Sequence, residues 1–264
     1  MIREIWRRDL PLAAAGSLMF LGLGAVLFIG AVDHRELLGL NVWVKPAKFL
    51  FSVGIYLWTL AWFMPYVTGP RFLKRLISWG VALALVGENT LIVMQAARGV
   101  RSHFNFDTPF DAGVFSLMGT FIGINTLFLA LFAVLLFLRP VEGLPRHYLW
   151  AVRLGALLLL AGSAEGLVMI ERGAHAVGVP DGGPGLRFLN FSIEGGDLRA
   201  AHLMGLHGFQ LIPLFAWGLW RRAPDLDPRR KTMLVFGFAV LYTLVAAFLF
   251  WQAMSGRPIL RPFG

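Results

Sequence analysis

Seven stretches of this chain stay apolar for about the twenty residues that an α-helix needs to cross the hydrocarbon core of a bilayer. They run through residues 10–32, 47–68, 73–97, 111–138, 148–170, 200–220 and 231–254. A backbone immersed in lipid must satisfy its own polar groups, so such stretches fold as helices or not at all. The expectation is an all-α fold, a single seven-helix transmembrane bundle. Only the segment 171–199, Gly-rich with Pro180 and Pro184, is a long connection, and it carries no helix or strand pattern of its own.

Composition agrees. Of 264 residues, 57% are hydrophobic and 15% charged, against roughly 25% charged in soluble domains. Cysteine is absent, which excludes disulfides, thiolate zinc ligands, iron–sulfur clusters and c-type haem attachment. The net charge of +9 comes from cations placed singly between apolar runs. That is the signature of membrane topology and not of nucleic-acid binding.

With the N-terminus inside, fourteen of the 24 Lys and Arg fall on the cytoplasmic side, among them Arg3, Arg7, Arg8, Arg71, Lys74, Arg75, Arg229, Arg230 and Lys231. The rule that inner loops are basic therefore sets the N-terminus inside and the C-terminus outside. The first apolar run is too long for a signal peptide, and no small-residue cleavage site follows it. Thr108-Pro109-Phe110-Asp111 reads as a capped helix start, Asp197 as the cap of the sixth helix, and Pro46 as the first position of the second. No repeat of 20–50 residues is present, and an echo between Arg101-Ser-His103 and Arg199-Ala-Ala-His202 is too short to argue one.

Ionisable groups in lipid are costly, so each one there needs a reason. Glu88, Gln95 and Arg98 share one face of the third helix, with Arg101 just beyond. Glu165 comes late in the fifth helix. Arg199, His202, His207 and Gln210 come early in the sixth, and Lys45 and Lys48 open the second. The orientation puts all of them in the extracytoplasmic half, as one shared pocket. Glu88, Glu165 and His207 are the candidate acid–base or proton-carrying groups. For the two glutamates the alternative is an ion pair with Lys48 or Arg98; for His207 it is a hydrogen bond with Gln210. Lys48, Gln95, Arg98, Arg101, Arg199 and Gln210 are the candidate substrate-binding groups, since guanidinium matches phosphate and carboxylate. The competing partners of the arginines are Asp107, Asp111, Glu194 and Asp197. Lys45 is read as reaching to lipid head groups.

His103, His202 and His207 form a candidate zinc set. His202 and His207, five apart, point about 140° from each other on a regular helix. A b-type haem has poorer candidates, because His103 and His34 lie outside the apolar runs. The stretch Asp181-Gly182-Gly183-Pro184-Gly185 lacks the lysine and helix of a phosphate loop.

Four segments together, Asn41-Val-Trp-Val-Lys-Pro-Ala-Lys-Phe49, Glu88-Asn-Thr with Gln95-Ala-Ala-Arg-Gly99 and Ser102-His-Phe-Asn105, Gly195-Gly-Asp-Leu-Arg199, and His202 to His207, resemble a family of bacterial multi-pass membrane proteins without assigned activity. This resemblance implies a bacterial inner-membrane location. More loosely, Ser102-His103 with His202 and His207 is similar to the histidine set of the CREST seven-helix membrane hydrolases. That likeness implies zinc held by three histidines, two of them on the last helix; here 231–254 contains none. Three functions are therefore open: an outward-facing site for a small or amphiphilic anion, with lipid modification as its chemistry; proton-coupled transport of a small solute; or a scaffold whose polar residues only fix helix packing. Beyond the bilayer and such a substrate, no partner is implied.

Overall fold

The computed structural model describes residues 2–260. The chain is all-α apart from two two-stranded hairpins, and it divides into two units, Met1–Arg139 and Pro140–Gly264. The first unit holds α1 (Ile2–Arg8), α2 (Leu10–Val32), the hairpin β1 (Glu36–Leu37) and β2 (Leu40–Asn41), α3 (Val44–Phe63), α4 (Arg71–Ala97) and α5 (Pro109–Leu138). The second holds α6 (Arg146–Arg172), the hairpin β3 (Ala176–Val177) and β4 (Gly196–Asp197), α7 (Leu198–Arg222) and α8 (Pro228–Met254).

Each expected apolar stretch is a helix, with ends displaced by at most three residues apart from the second, whose last turn tightens into a 3-10 turn over Met64–Tyr66. Six of the helices, α2 to α6 and α8, are long and apolar enough to cross a membrane. The stretch 200–220 lies in α7, which is 25 residues long but falls outside that set. Its polar residues, Arg199, His202, His207, Gln210, Arg221 and Arg222, dilute the apolar run. The caps at Thr108 and Asp197 form: Asp111 N donates to Thr108 Oγ1 at 3.1 Å and Arg199 N to Asp197 Oδ1 at 3.0 Å. Pro46 is corrected from first to third helical position, because α3 begins at Val44; there too a proline costs no intrahelical hydrogen bond. The segment 171–199 is not structureless. Its first residues prolong α6, its ends pair as β3 and β4, and Gly185 bridges Ser192.

The two units follow one plan, helix, hairpin, helix, tight turn, helix, and the likeness extends to single hydrogen bonds. In each, the side chain of the last residue of the second strand accepts from the backbone N–H two residues on: Trp43 N donates to Asn41 Oδ1 at 2.9 Å just before α3, as Arg199 N does to Asp197, the cap of α7. In each, a glycine lets the first helix approach the second. A Cβ at Gly16 would come 3.3 Å from the Gly54 carbonyl oxygen, and one at Gly155 2.9 Å from that of Gly208. In each, the third helix ends in the same two-bond glycine cap. Gly99 (φ 73°) donates to Ala96 O at 2.9 Å and Val100 to Gln95 O at 3.1 Å; Gly256 (φ 71°) donates to Ala253 O at 2.9 Å and Arg257 to Gln252 O at 3.2 Å. Gln95-Ala-Ala-Arg-Gly99 and Gln252-Ala-Met-Ser-Gly256 are thus one motif written twice, with both glutamines buried. In each, the hairpin meets the end of that third helix. Arg35 Nη1 donates to Ala97 O at 3.1 Å, and Gly196 lies so close to Ala253 that a side chain there would collide with it. The repeat covers three helices, with α5 as the odd one, so a search for short periods does not find it.

Glycine decides the packing of the second unit most sharply. A Cβ on Gly162 would come 2.7 Å from the backbone of Gly205 and Leu206, and one on Gly205 2.5 Å from the Cα of Gly162. Backbone packs directly on backbone, as in small-residue helix interfaces of membrane proteins. Substituting Gly162 by Val is expected to cost about 1–3 kcal/mol or more through overpacking, seen as a lowered thermal midpoint in detergent. Gly119, in mid-α5 with nothing near its Cβ position, is the contrast: Gly119→Ala is expected to raise stability by about 0.5–1 kcal/mol.

Candidate functional site

In the first unit the chain brings the start of α3, the end of α4, the loop 98–108 and the start of α5 together. Two linked polar groups result. One is a network around Asp111. Gln95, fully buried, donates to Asp111 Oδ1 at 2.9 Å; Arg98 Nη1 donates to the same oxygen at 2.5 Å and to Gln95 Oε1. The Thr108 hydroxyl donates to Asp111 Oδ2 at 2.6 Å. Asp111 therefore steadies the Thr108 cap of α5 and ties that helix to α4, with three donors on its carboxylate.

The second group is centred on His103. Lys45 Nζ donates to His103 Nδ1 at 3.3 Å, and the buried Ser102 hydroxyl stands 3.1 Å from the same nitrogen. An ammonium cannot accept, so Nδ1 is the acceptor and the proton of the neutral ring sits on Nε2. Phe49, Phe104 and Phe115 surround the imidazole at 5.7, 6.4 and 5.9 Å between ring centres. Phe104 takes φ 52°, a left-handed conformation that a bulky residue adopts only under tertiary constraint. Asn105, also buried, holds the loop by donating to Arg101 O at 2.9 Å and accepting from Asp107 N at 3.1 Å. Lys45 lies near enough to Glu88 for their charges to interact. Glu88 itself is 2% exposed, in the middle of α4. Lys48 follows on the same helix, half-buried.

Lys45 is thus corrected from a head-group anchor to an inward-facing residue. The sequence shows only that it opens a helix on the outer side; the bend at 98–104 that delivers His103 to it is tertiary. Ser102, Asn105 and Asp111 belong to this site; in the sequence Asp111 stands as part of a capped helix start and as a competing partner of the arginines, and Ser102 and Asn105 only within the segments that carry the resemblance. The signal that points to them is local: small polar residues in a loop that follows a glycine helix cap.

The second unit carries the other candidates. Arg199 forks onto Asp197, Nε to Oδ1 at 2.9 Å and Nη2 to Oδ2 at 2.6 Å, and Nη2 also reaches Asn190 O. Asp197 Oδ2 accepts further from Ser192 N at 2.7 Å, which ties the long loop to α7. His202 Nδ1 donates to Gly162 O at 2.7 Å, across the glycine contact of α6 and α7; its Nε2 is left as the acceptor. His207 bonds the Gln210 side chain. Glu165 Oε2 and Gln210 Oε1 are buried with no hydrogen-bond partner, an expensive condition for polar atoms.

The candidates therefore form two groups, one per unit: Lys48, Glu88, Gln95, Arg98, Arg101 and His103 in the first, Glu165, Arg199, His202, His207 and Gln210 in the second. All three arginines have carboxylate partners, Arg98 with Asp111, Arg101 with Asp107 at 3.8 Å and Arg199 with Asp197. Among the described residues no group of three or more His, Asp and Glu stands close enough to hold a metal ion. His103, His202 and His207 therefore receive no support as a zinc set, and His202 spends one ring nitrogen on a backbone carbonyl. No protein-family model, curated protein or solved structure matches the chain.

Two carboxylates stand outside the helices and set the loops. Asp33 closes α2, and its carboxyl is held well below the usual range by the Arg35 guanidinium, then by the Trp43 indole and the Arg35 N–H. For Asp181 half-burial acts to raise the carboxyl. The His175 ring at 2.8 Å and the N–H groups of His175 and Ala176 outweigh that and hold it well below the usual range. A depressed carboxyl stabilises the fold above its unfolded value, near 4, and loses that contribution as the pH falls further. Protease cleavage within 173–197 is accordingly expected to accelerate as the pH drops from about 4 towards 2, and Asp181→Asn to show fast cleavage already at neutral pH. Asp111→Ala leaves Gln95 buried without its acceptor and takes away the carboxylate that holds the capping Thr108 hydroxyl. It is expected to cost about 2–4 kcal/mol, read as a lower thermal midpoint, whereas Asp107→Ala, with its carboxylate exposed, changes little.

Proposed function

We propose that this protein is a proton-coupled membrane transporter of a small solute, with seven crossings. The N-terminus is cytoplasmic, the residues after α8 are extracytoplasmic, and the setting is a bacterial inner membrane. Counting α7 as a crossing rests on its length and on its packing between α6 and α8, which lets polar residues face protein and not lipid. The basic connections before α4, α6 and α8 support the orientation.

The observation that carries this reading is Glu88, a carboxylate almost wholly buried in mid-helix, with the Lys45 ammonium as its charged neighbour and His103 bonded in turn to that ammonium. Three titratable groups in succession, running from a loop into the interior of the first unit, form a path along which a proton can be handed inwards. Protonation of Glu88 removes a charge from a low-dielectric interior and alters its attraction to Lys45, which is the change a coupled transporter needs between two states. Glu165, with one oxygen unpartnered, is the corresponding carboxylate of the second unit. Internal repeats of helical units, of the kind these two three-helix units form, recur in secondary transporters.

Transport ranks ahead of modification of an anionic lipid because the arginines suited to hold an anion are committed to Asp111, Asp107 and Asp197. They serve as loop clamps.

Proton entry into liposomes containing the purified protein, driven by a potassium diffusion potential and followed with an internal pH dye, tests the reading. Glu88→Gln is expected to reduce protein-dependent flux at least tenfold and Lys45→Gln severalfold, with both variants folded. Wild-type flux in folded Glu88→Gln protein would remove the proposal.

A further inference from the structure

The strongest feature left unused lies at the opposite end of the first unit, where α4 begins. Asp9, Pro11, Arg71, Lys74, Arg75 and Ser78 line an open cavity of about 170 Å³. That is several times the roughly 30 Å³ that a water molecule occupies in the liquid, and room enough for a phosphate group. Its one carboxylate is engaged already: Ser78 Oγ donates to Asp9 Oδ2 at 2.5 Å and Leu12 N to Asp9 Oδ1 at 3.1 Å. Three cations therefore face one carboxylate, which attracts Lys74 but leaves a surplus of positive charge. Among the described residues, none of the three makes an ion pair within 4.0 Å. They stand in the first turns of α4, the positive end of the helix dipole, where cations are least favoured and anions most.

The internal repeat says what is missing. α8 is the counterpart of α4, and it also begins among cations, Arg229, Arg230 and Lys231. There Asp227 supplies the anion, accepting from Arg229 N at 2.9 Å and Arg230 N at 3.1 Å. The matching residue of α4 is Pro70, with nearly the same backbone conformation (φ −57°, ψ 135°, against −51° and 136° for Asp227) and no side chain to cap the helix. One copy of the repeat places a carboxylate at the helix start; the other places a proline there, and the cavity opens along the first turns of that helix.

We infer that the cavity at the start of α4 binds a phosphate group, held by the side chains of Arg71, Lys74 and Arg75. The group is the head of an anionic phospholipid or a free phosphate. A lipid is favoured by the flanking surface. Phe72, Leu76, Trp79 and Leu83 form an exposed apolar line along α4 that starts beside the cavity, the direction an acyl chain would take. This site is independent of Glu88 and of the transport reading.

Native mass spectrometry of the detergent-purified full-length protein is the test, with phosphatidylglycerol and phosphatidylcholine each added at equal concentration. One phosphatidylglycerol is expected to be retained per chain in preference to phosphatidylcholine. Retention should fall about tenfold or more in K74Q/R75Q and in P70D, which keeps every cation and adds a competing carboxylate next to Arg71. The R229Q/R230Q variant, which removes equal charge outside the cavity, should retain lipid as the wild type does. In a parallel arm, inorganic phosphate that raises the thermal midpoint of the wild type but not of P70D identifies free phosphate as the occupant and supports the site equally. Phosphatidylglycerol retained unchanged by folded P70D, or lost as fully in R229Q/R230Q as in K74Q/R75Q, overturns the proposal, because binding would then be unspecific charge attraction.

Discussion

A backbone surrounded by hydrocarbon has to bond to itself, and everything else in this protein is arranged around that constraint. It makes the apolar stretches helices and moves the unsatisfied groups to the helix ends. Those ends are where the structure concentrates its polar detail. The Asn41 turn before α3, the Asp197 cap of α7, the glycine caps at Gly99 and Gly256, and the two small hairpins all lie at helix ends. Because each hairpin also reaches the end of the third helix of its unit, the same few residues close three helices at once. The repeat is conserved between the units at these ends, more than in the helix interiors, for that reason: an interior apolar residue has many substitutes, a cap geometry few.

Freed from matching one another in their interiors, the units have placed polar side chains differently. The first carries its buried carboxylate on the third helix of its repeat, Glu88 on α4. The second carries Glu165 on its first helix, α6, and histidines on its second. In the first unit the charges are paired off one by one: Arg98 with Asp111, Arg101 with Asp107, Lys45 with His103 and near Glu88. In the second, Glu165 and Gln210 each leave a buried oxygen without a partner. The first unit leaves one such atom too, Asn89 Oδ1 beside Glu88; an unpaired buried polar atom is a standing cost that a bound group or a proton can relieve.

Much of this was legible in the residues. The ends of α2, α4 and α8 follow from where the apolar runs stop, and the starts of α5 and α7 from Thr108-Pro109 and Asp197. The concentration of polar residues at the start of α3, the end of α4 and the start of α7 was also visible, as was the choice between anion clamp and ion pair for each arginine. The choice itself was not, because Arg98 meets Asp111 only when the loop 98–108 turns back, and that turn depends on Gly99 and on Phe104 in a conformation no propensity favours. Lys45 was misread for the same reason. The repeat was hidden in a different way: its units are longer than any short period, and the hairpin connection of the second, 173–197, outgrows that of the first, 33–43, so no single offset aligns them.

The sequence by itself determined that the chain is helical and where each helix lies, because hydrophobic length and caps act locally and along the chain. Tertiary structure decided which polar groups meet. Ion pairs, the His103 contact and the glycine seam between α6 and α7 join residues on different elements, and only close packing of those elements brings such groups within hydrogen-bonding reach.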